Sequence, residues 1–378
     1  MTPTSRPTVD NAQAPELSKE LLAQLAEIEL PDPLGFGRLM APVMAIAHYQ
    51  DGVWQRPRLE PLAPLALDPH AQALHYGQAI FEGMKAYRNL GPASVGGTAL
   101  LFRPYDHARR FNRSAQRLGM PPIDETYFVG ALEELVAMLD RLVPGRQGQS
   151  LYLRPTMFAE SADLSVVPAT GFCFVVLATP SDVFFTTPIS AWVEREFSRA
   201  GPGGTGAVKA AGNYAASFAA AAKLREHGFQ QLLWLDAVHH RYLEEFTAMN
   251  VFVRIGDRIL TPPLSDTILA GITRDSLLQL AGPLELDMRE EPIEVETLIE
   301  ALRGGEDVEV FGCGTGSVVA PVELIGDASG LRLPVPSQKL AWHLRQSLLD
   351  IQHGLAPGPD GWVQPVPAVG ASVLEVQR

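Results

Sequence analysis

The sequence predicts a protein of two domains, each mixing α-helices with β-strands. With 378 residues the chain exceeds the usual size of a single hydrophobic core, and 46% of its residues are hydrophobic, enough to fill two. Apolar runs typical of strands alternate with segments of helical periodicity along the chain. After Thr179 a stretch of little periodicity interrupts this alternation, so we place the domain boundary near Ser181.

The first part of the chain divides into a tail with one helix, residues 1–33, and a small α/β domain, residues 34–180. Leu21, Leu25 and Ile28 recur at near-helical spacing before Pro31, which predicts a helix after a polar tip. In the small domain we expect strands over 40–49, 99–102, 151–157 and 172–178, and helices that end at 118 and run over 127–142.

The second part comprises an interdomain loop, residues 181–206, and a large domain, residues 207–378. Its alanine-rich segment from 215 to 225 predicts a helix that closes before Gly228. Further along we expect strands over 231–235 and 251–255, helices over 273–280 and 342–351, and an extended, proline-rich tail after 357.

A glycine-rich run, Gly201–Gly206, matches the G-x-G-x-x-G pattern of dinucleotide-binding proteins. That pattern works only where a buried parallel strand precedes it and a helix opens at its third glycine. The preceding segment, Val193–Arg199, is too charged for such a strand, and Lys209 and Gly212 come before the next helix. We therefore expect no dinucleotide site here.

Composition and charge exclude several classes of partner. The net charge of −13, without a block of basic residues, argues against binding to nucleic acid or to an anionic membrane surface. No apolar stretch approaches the length of a bilayer span, and the N-terminus lacks the apolar core of a signal peptide. Two cysteines cannot build a disulfide framework. We predict a cytoplasmic protein without a metal site.

Five features together suit pyridoxal 5'-phosphate. Lys209 lies among alanines and glycines, and an uncharged lysine amine forms a Schiff base with an aldehyde. Gly271 opens a helix whose free amides attract a phosphate, and the glycine loop from Gly314 to Ser317 can form a nest of amides. Arg110 adds a guanidinium for the phosphate, and Glu245 a carboxylate for the ring nitrogen.

Longer stretches resemble the branched-chain amino acid aminotransferases, class IV aminotransferases of the pyridoxal-phosphate fold-type IV group. The resemblance runs from about Leu34 to the region of Trp362. It implies a smaller N-terminal α/β domain and a larger C-terminal α/β domain shaped as a pseudo-barrel. The matching residues are 74–76, 81–86, 101–104, 152–155, 209–214, 233–235, 245, 249–250, 261–264, 271–274, 311–312 and 314–315.

The resemblance also implies a role for each candidate residue. Lys209 would bond to the cofactor and, once released by substrate, move a proton between substrate and cofactor. The other cofactor contacts would be Glu245 to the ring nitrogen, Tyr214 to the ring hydroxyl, and Arg110, Ile272, Thr273 and Thr315 to the phosphate. The substrate would meet Tyr76, Phe81, Tyr152, Leu164 and Val166 around its side chain, Arg154 at the distal carboxylate of glutamate, and the amides of Gly316 and Ser317 at the α-carboxylate.

The implied reaction is amino transfer between L-leucine, L-isoleucine or L-valine and 2-oxoglutarate, in a homodimer whose second subunit contributes some pocket residues. Ala248 stands where relatives often carry threonine, and residues 184–206 match poorly. A D-amino acid aminotransferase or an aminodeoxychorismate lyase of the same fold is an alternative. The glycine loops leave a second alternative open, namely a non-catalytic module that binds phosphate or nucleotide.

Overall fold

Two β-sheets organise the computed structural model, which describes residues 17–92 and 99–367. The N-terminal tip, predicted as polar and irregular, and the last part of the proline-rich tail lie outside the described residues. Within residues 17–92 and 99–367, no helix is long and apolar enough to cross a bilayer.

The first part of the described chain supplies most of one sheet and the helices that cover it. Its strands are β1 (Val43–Gln50), β2 (Val53–Trp54), β3 (Arg58–Pro61), β4 (Ala79–Phe81), β5 (Met84–Arg88), β6 (Ala99–Phe102), β7 (Ser150–Ala159) and β8 (Phe172–Ser181). Its helices are α1 (Lys19–Glu27), α2 (Gln72–Tyr76), α3 (Pro104–Arg117) and α4 (Glu125–Met138), followed by a 3-10 turn at Asp140–Leu142.

The second part supplies the other sheet and one further strand, β18, of the first sheet. Its strands are β9 (Ile189–Glu194), β10 (Gln231–Leu235), β11 (Leu243–Phe246), β12 (Asn250–Ile255), β13 (Arg258–Thr261), β14 (Asp287–Glu290), β15 (Val308–Gly314), β16 (Val318–Asp327), β17 (Arg332–Pro334) and β18 (Val363–Pro365). Its helices are α5 (Gly212–Ala215), α6 (Phe218–Glu226), α7 (Ile272–Ala281), α8 (Val295–Gly304) and α9 (Lys339–Gln352).

The first sheet is antiparallel along its described strands, in the order β18, β6, β5, β7, β8, β1, β2, with β3 on β1 and β4 on β7. Apolar side chains of α3 and α4 pack on one face of it. Phe111, Phe128 and Phe174 form a buried aromatic cluster there, with ring centroids 5.2 to 5.7 Å apart. This contact fixes α3, which carries Arg110, against the sheet.

The second sheet closes on itself. β11 pairs with both β10 and β12, so β11, β10, β9, β16, β15 and β12 form a ring. Inward-facing Leu233, Val251, Val310 and Val322 fill the ring and are fully buried. The ring, together with α8 packed beside it, confirms the predicted mixed α/β fold with a pseudo-barrel.

A third apolar cluster joins the two sheets. Tyr87 of β5 packs with Phe252 and Phe311 of the barrel and with Leu344 of α9, and all four are buried. Strand β18, near the end of the described chain, returns to pair with β6 of the first sheet. The two halves therefore share an extensive interface, which fixes the relative position of residues on either side of it.

Most predicted elements are confirmed, with two differences. The helix predicted over 215–225 is divided into α5 and α6. The expectation that no buried parallel strand precedes Gly201 is wrong, since β9 is buried and parallel to β10 and β16. Gly206 nonetheless opens no helix. The predicted interdomain loop, residues 181–206, contains strand β9, and the predicted large domain, residues 207–378, contains β18, which pairs with the first sheet. The domain boundaries stay a prediction.

His353, at the end of α9, is buried and has both ring nitrogens occupied. Its Nε2 accepts the Gly148 amide at 2.9 Å, and its Nδ1 donates to the Arg88 carbonyl at 2.9 Å. Protonation would break the first bond, and burial lowers the pKa of His353. The unfolded chain takes up this proton below its ordinary pKa of about 6.5, so the free energy of unfolding decreases as the pH falls through that value.

We therefore expect the variant His353→Gln, which cannot take up a proton, to lose less stability between pH 7 and pH 5 than the wild type. Urea denaturation at several pH values measures this difference. His343→Gln, an exposed histidine of the same helix, is the control and should follow the wild type. If the free energies of unfolding of His353→Gln and the wild type change equally between pH 7 and pH 5, this account of His353 is wrong.

Candidate active site

A cavity of about 620 Å³ lies between the two sheets. Residues of β4, β7 and α3 line it from the first half, and loops at the mouth of the barrel line it from the second. It brings together most of the predicted site residues, namely Phe81, Arg110, Tyr152, Arg154, Lys209, Tyr214, Glu245, Ile272, Thr273, Thr315, Gly316 and Ser317.

Lys209 projects into this cavity from the loop before α5. Its amide donates to the Ser114 hydroxyl of α3 at 3.0 Å, and its carbonyl accepts from the Phe81 amide at 3.1 Å. The backbone of Lys209, which belongs to the second half of the chain, is thus fixed to two elements of the first half, α3 and β4. The side-chain Nζ lies 2.9 Å from the Tyr214 hydroxyl and 5.0 Å from the centre of the Phe81 ring. A reactive amine with a phenol beside it is therefore presented to the cavity.

A bulge in β11 directs Glu245 away from the barrel core. Leu243 and Phe246, three residues apart, pair with Leu235 and Leu233 of β10, which are only two apart. Both Leu243 and Phe246 consequently face the core, and the extra residue leaves Glu244 and Glu245 outside it. Bulges of this kind re-aim side chains next to active sites.

Glu245 is buried among polar partners. Its Oε1 lies 2.7 Å from an Nη atom of Arg199, and its Oε2 accepts from Asn250 Nδ2 at 3.1 Å and from the Leu269 amide at 3.2 Å. Burial raises the pKa of Glu245 to about 7, although the charge of Arg199 opposes that shift. A carboxyl group with a pKa near neutrality is suited to share a proton with a basic ring nitrogen.

Arg110 reaches the cavity from α3 as part of a buried ion pair. Its Nε and one Nη donate to the two carboxylate oxygens of Glu82 at 2.7 and 2.8 Å, and His107 Nδ1 lies 2.8 Å from the same carboxylate. Burial would raise the pKa of Glu82, but Arg110 and His107 together lower it below its usual value. The remaining Nη of Arg110 donates to the Ala270 carbonyl at 3.1 Å. Arg110 is thereby held rigid and charged.

Two groups of backbone amides face the same cavity. Gly271, Ile272 and Thr273 form the start of α7, where amides lack intrahelical partners. Thr315, Gly316 and Ser317 form the turn between β15 and β16, and the buried Ser317 hydroxyl has no partner among the described residues. Unpaired donors at two places in one cavity indicate an anionic ligand.

Lys85 supports the second turn from behind. Its Nζ donates to the Gly316 carbonyl at 2.7 Å, and only 4% of the residue is exposed. Burial, followed by the nearby charge of Arg345, lowers the pKa of Lys85 to about 7. A Cβ at the nearby Gly83 would overlap the Tyr152 hydroxyl and displace that side chain. Two residues that follow Phe81 in the chain thus position parts of the cavity: Lys85 holds the Gly316 turn, and Gly83 leaves space for Tyr152.

The far end of the cavity is aromatic, with one guanidinium. Phe36 lies 5.0 Å from Tyr152 and 5.6 Å from Phe184, measured between ring centres. Arg154 stacks 4.8 Å from the Phe81 ring and donates to the Tyr152 hydroxyl at 3.0 Å. Its Nε is buried without a partner among the described residues. This end can accept an alkyl group and still offer a donor to a carboxylate.

Comparison with known proteins identifies the family. The model of the family described as amino-transferase class IV matches residues 79–325. The chain belongs to this family. Branched-chain-amino-acid transaminase 1 of Bacillus subtilis (strain 168) is 40% identical over 343 residues, which is 88% of this chain and 95% of that protein. The branched-chain-amino-acid aminotransferase of Mycobacterium tuberculosis (strain CDC 1551 / Oshkosh) is 40% identical over 87% of this chain and 91% of its own length.

Solved structures of class IV aminotransferases share the fold. A branched-chain aminotransferase from Thermoproteus uzoniensis, solved with norvaline, has a TM-score of 0.70 and 26% identity over 85% of this chain and 100% of that one. The branched-chain amino acid aminotransferase from Escherichia coli has a TM-score of 0.67 and 25% identity over 85% of this chain and 99% of that one.

Membership of the class confirms the predicted cofactor, since class IV aminotransferases are pyridoxal-phosphate enzymes. The residues in the cavity fit that group. The start of α7 and Arg110 suit a phosphate, the unpartnered Ser317 hydroxyl suits an anion, and Lys209 suits an aldehyde. Glu245, a buried carboxyl group with a raised pKa at the mouth of the barrel, suits a basic ring nitrogen.

Three predicted substrate residues do not line the cavity of this aminotransferase chain. Tyr76, Leu164 and Val166 are exposed by 45%, 53% and 86% on the outer surface. Tyr76 donates its hydroxyl proton to the Leu164 carbonyl, so the first two lie together. Their assignment to the pocket depends on a second subunit and stays a prediction.

Sequence reasoning assigned no role to several residues at the site. Arg199, whose guanidinium binds Glu245, lies in 184–206, the stretch that matched the family poorly. Asn250 was recognised only as part of a matching stretch, and Phe36 and Phe184 showed no distinguishing pattern. Arg199 could have been found from one signal, an arginine in an otherwise uncharged glycine-rich approach to Lys209.

Gly271 offers a test of how Glu245 is held. A Cβ at this position would overlap Asn250 Oδ1, and Asn250 binds both Glu245 and the Leu269 carbonyl. We expect Gly271→Ala to lower kcat/KM at least about tenfold, because small displacements of catalytic groups are costly. The control is Gly282→Ala at the other end of α7, where a Cβ would meet nothing within 4 Å. Equal activity of the two variants in steady-state assays would contradict this role.

Proposed function

We propose that the protein transfers the amino group of L-leucine, L-isoleucine or L-valine to 2-oxoglutarate, giving the branched-chain 2-oxo acids and L-glutamate. Relatives at 40% identity over most of their length are named branched-chain-amino-acid aminotransferases. The observation that carries the proposal is the pairing of aromatic walls with the single guanidinium of Arg154 at the far end of the cavity. One pocket must accept both an alkyl group and a carboxylate, and this arrangement provides for both.

The residues of the chain divide the work of such a reaction. When bound, the cofactor supplies an electron sink for the charge that develops at the substrate Cα. Lys209 Nζ would act as the base that removes the Cα proton of the amino donor and, in the second half-reaction, would give a proton to Cα of the amino acid that forms. Glu245 would hold a proton at the ring nitrogen, and the Tyr214 hydroxyl, 2.9 Å from Lys209 Nζ, would keep that amine oriented. The phosphate would be held by Arg110, Ile272, Thr273 and Thr315.

Other residues of the same cavity would bind the substrate. The amides of Gly316 and Ser317 bind the α-carboxylate, with Lys85 holding the Gly316 carbonyl. Phe81 and Tyr152 enclose the side chain, and Phe36 and Phe184 extend that wall. A missing methylene changes binding by only about 1–3 kcal/mol, so all three branched amino acids should be substrates.

Arg154 provides the test of this function. In Arg154→Gln the half-reaction with L-glutamate should slow by about tenfold or more, since a charge-assisted bond to the distal carboxylate is lost. The half-reaction with L-leucine, which has no distal carboxylate, should change little. Single-turnover absorbance measurements on the cofactor-loaded enzyme follow each half separately. D-Alanine is the control substrate, and a wild-type enzyme active only on the D-isomer would contradict the proposal.

We also propose that the enzyme is a cytoplasmic homodimer in which each subunit completes the other's pocket. Both cysteines are free and buried, as expected in a reducing compartment. Leu74, Tyr76, Leu164, Val166 and Val167 expose an apolar patch that a second copy would cover. Tyr76, Leu164 and Val166 would then reach the substrate end of the partner's cavity.

Mixing two inactive variants tests the shared pocket. Lys209→Ala removes the amine of its own site, and Val166→Asp should damage only the site of the partner. Refolded together in equal amounts, half of the dimers would carry one intact site, which gives about a quarter of wild-type activity. Each variant alone should be nearly inactive. Full activity of Val166→Asp alone, or no recovery in verified mixed dimers, would contradict the arrangement.

A further inference from the structure

Arg103 begins α3 in an unusual backbone conformation. Its φ of +52° lies in the left-handed region, which a residue with a Cβ avoids because that atom crowds the following carbonyl oxygen. It is 7% exposed, and its amide donates to the Trp362 carbonyl at 2.6 Å. Backbone strain of this kind persists where the surrounding structure requires it, commonly near functional sites.

The guanidinium of Arg103 joins two helices from different halves of the protein. Within α3, its Nε donates to Asp106 at 2.7 Å. Toward α7, its Nη1 donates to the Ser276 hydroxyl at 2.9 Å and to the Ile272 carbonyl at 3.4 Å, and its Nη2 lies 2.6 Å from the Asp275 carboxylate. The residue does not line the cavity, so it touches neither cofactor nor substrate.

The residues of α3 at this contact between the two halves lie on one face of the helix. Arg103, His107, Arg110 and Ser114 follow at steps of four, three and four residues, which place them along a single stripe of the helix. Arg110 binds the Ala270 carbonyl, and Arg103 binds the Ile272 carbonyl. Two arginines of α3 therefore hold the chain on both sides of Gly271, where the amides of α7 open into the cavity.

We propose that Arg103 is a positioning residue for phosphate binding. It fixes the first turn of α7 against α3, so that the amides of Ile272 and Thr273 and the guanidinium of Arg110 converge on one phosphate. The left-handed conformation directs its side chain along α7 while Arg110, two turns further on, points into the cavity. The inference depends on the cofactor but not on the choice of amino acid substrate.

Removal of the Asp275 carboxylate distinguishes this proposal from a purely electrostatic effect on phosphate binding. Removal of a carboxylate near the phosphate site should strengthen phosphate binding if charge alone matters. If Asp275 instead holds Arg103 against α7, its removal should weaken phosphate binding. Asp275→Ala places a good helix former at a half-buried position of α7, where about half of the side-chain surface is exposed, so the fold should persist.

The measurement compares the dissociation constants of pyridoxal 5'-phosphate and pyridoxal for the full-length protein after removal and return of the cofactor. The ratio of the two constants reports the phosphate site alone, because both compounds present the same ring and aldehyde. We expect the preference for the phosphorylated compound to fall at least about tenfold in Asp275→Ala and in Arg103→Met, consistent with the loss of one or more bonds to charged groups. Arg109→Gln, which removes an α3 arginine bound to Asp106 and Glu125, is the matched control and should keep the wild-type ratio.

An unchanged or increased preference in folded Asp275→Ala would overturn the proposal, whatever happens to Arg103→Met. A loss of thermal stability with an unchanged ratio would show a purely structural ion pair. Failure of the enzyme to act on L-leucine would refute the proposed substrate but leave this ratio, and hence the inference, independently measurable.

Discussion

The closure of the barrel at β11 is the constraint on which the site depends. A ring of strands requires β11 to pair on both edges, and the bulge that permits this turns two consecutive glutamates out of the core. Glu245 then lies at the barrel mouth, directly paired in register with Asn250 of β12. Its position is therefore set by the backbone hydrogen bonds of the ring, which are difficult to displace, rather than by a flexible loop.

Two buried ion pairs hold the charged groups of the cavity in place. Glu82 with Arg110 and Glu245 with Arg199 are almost fully removed from solvent. Buried ion pairs contribute little net stability compared with apolar packing of the same volume. Their concentration around one cavity is better explained by the need for rigid, correctly charged groups, and the apolar cluster around Phe252 and Phe311 provides the cohesion that keeps them in place.

Much of this architecture was accessible from the sequence. Strands β7 and β8 and helices α4, α7 and α9 carry clear periodicity, and Lys209, Arg110 and Glu245 stand in recognisable motifs. The strand β9 was missed because the charged residues that follow Val193 obscure its apolar run, although the strand itself ends at Glu194. A charged segment therefore does not exclude a buried strand in the apolar run that precedes it.

The partners of the predicted residues could not be found in the same way. Arg199 and Arg103 bind residues far from them in the chain, so the sequence does not show which residues they bind. Tyr76 presents the reverse case, since its motif was recognised but a single chain leaves it on the surface. The role of a residue that acts between distant segments becomes visible only in the three-dimensional structure.

The central claim is that this cavity holds pyridoxal phosphate on the amine of Lys209, within reach of Tyr214. Borohydride reduction of the cofactor-loaded protein, followed by peptide mass spectrometry, tests it most directly. We expect the phosphopyridoxyl mass on the peptide that contains Lys209, and none on the peptide that contains the buried Lys85. Modification of another lysine, with Lys209 unmodified, would contradict the account.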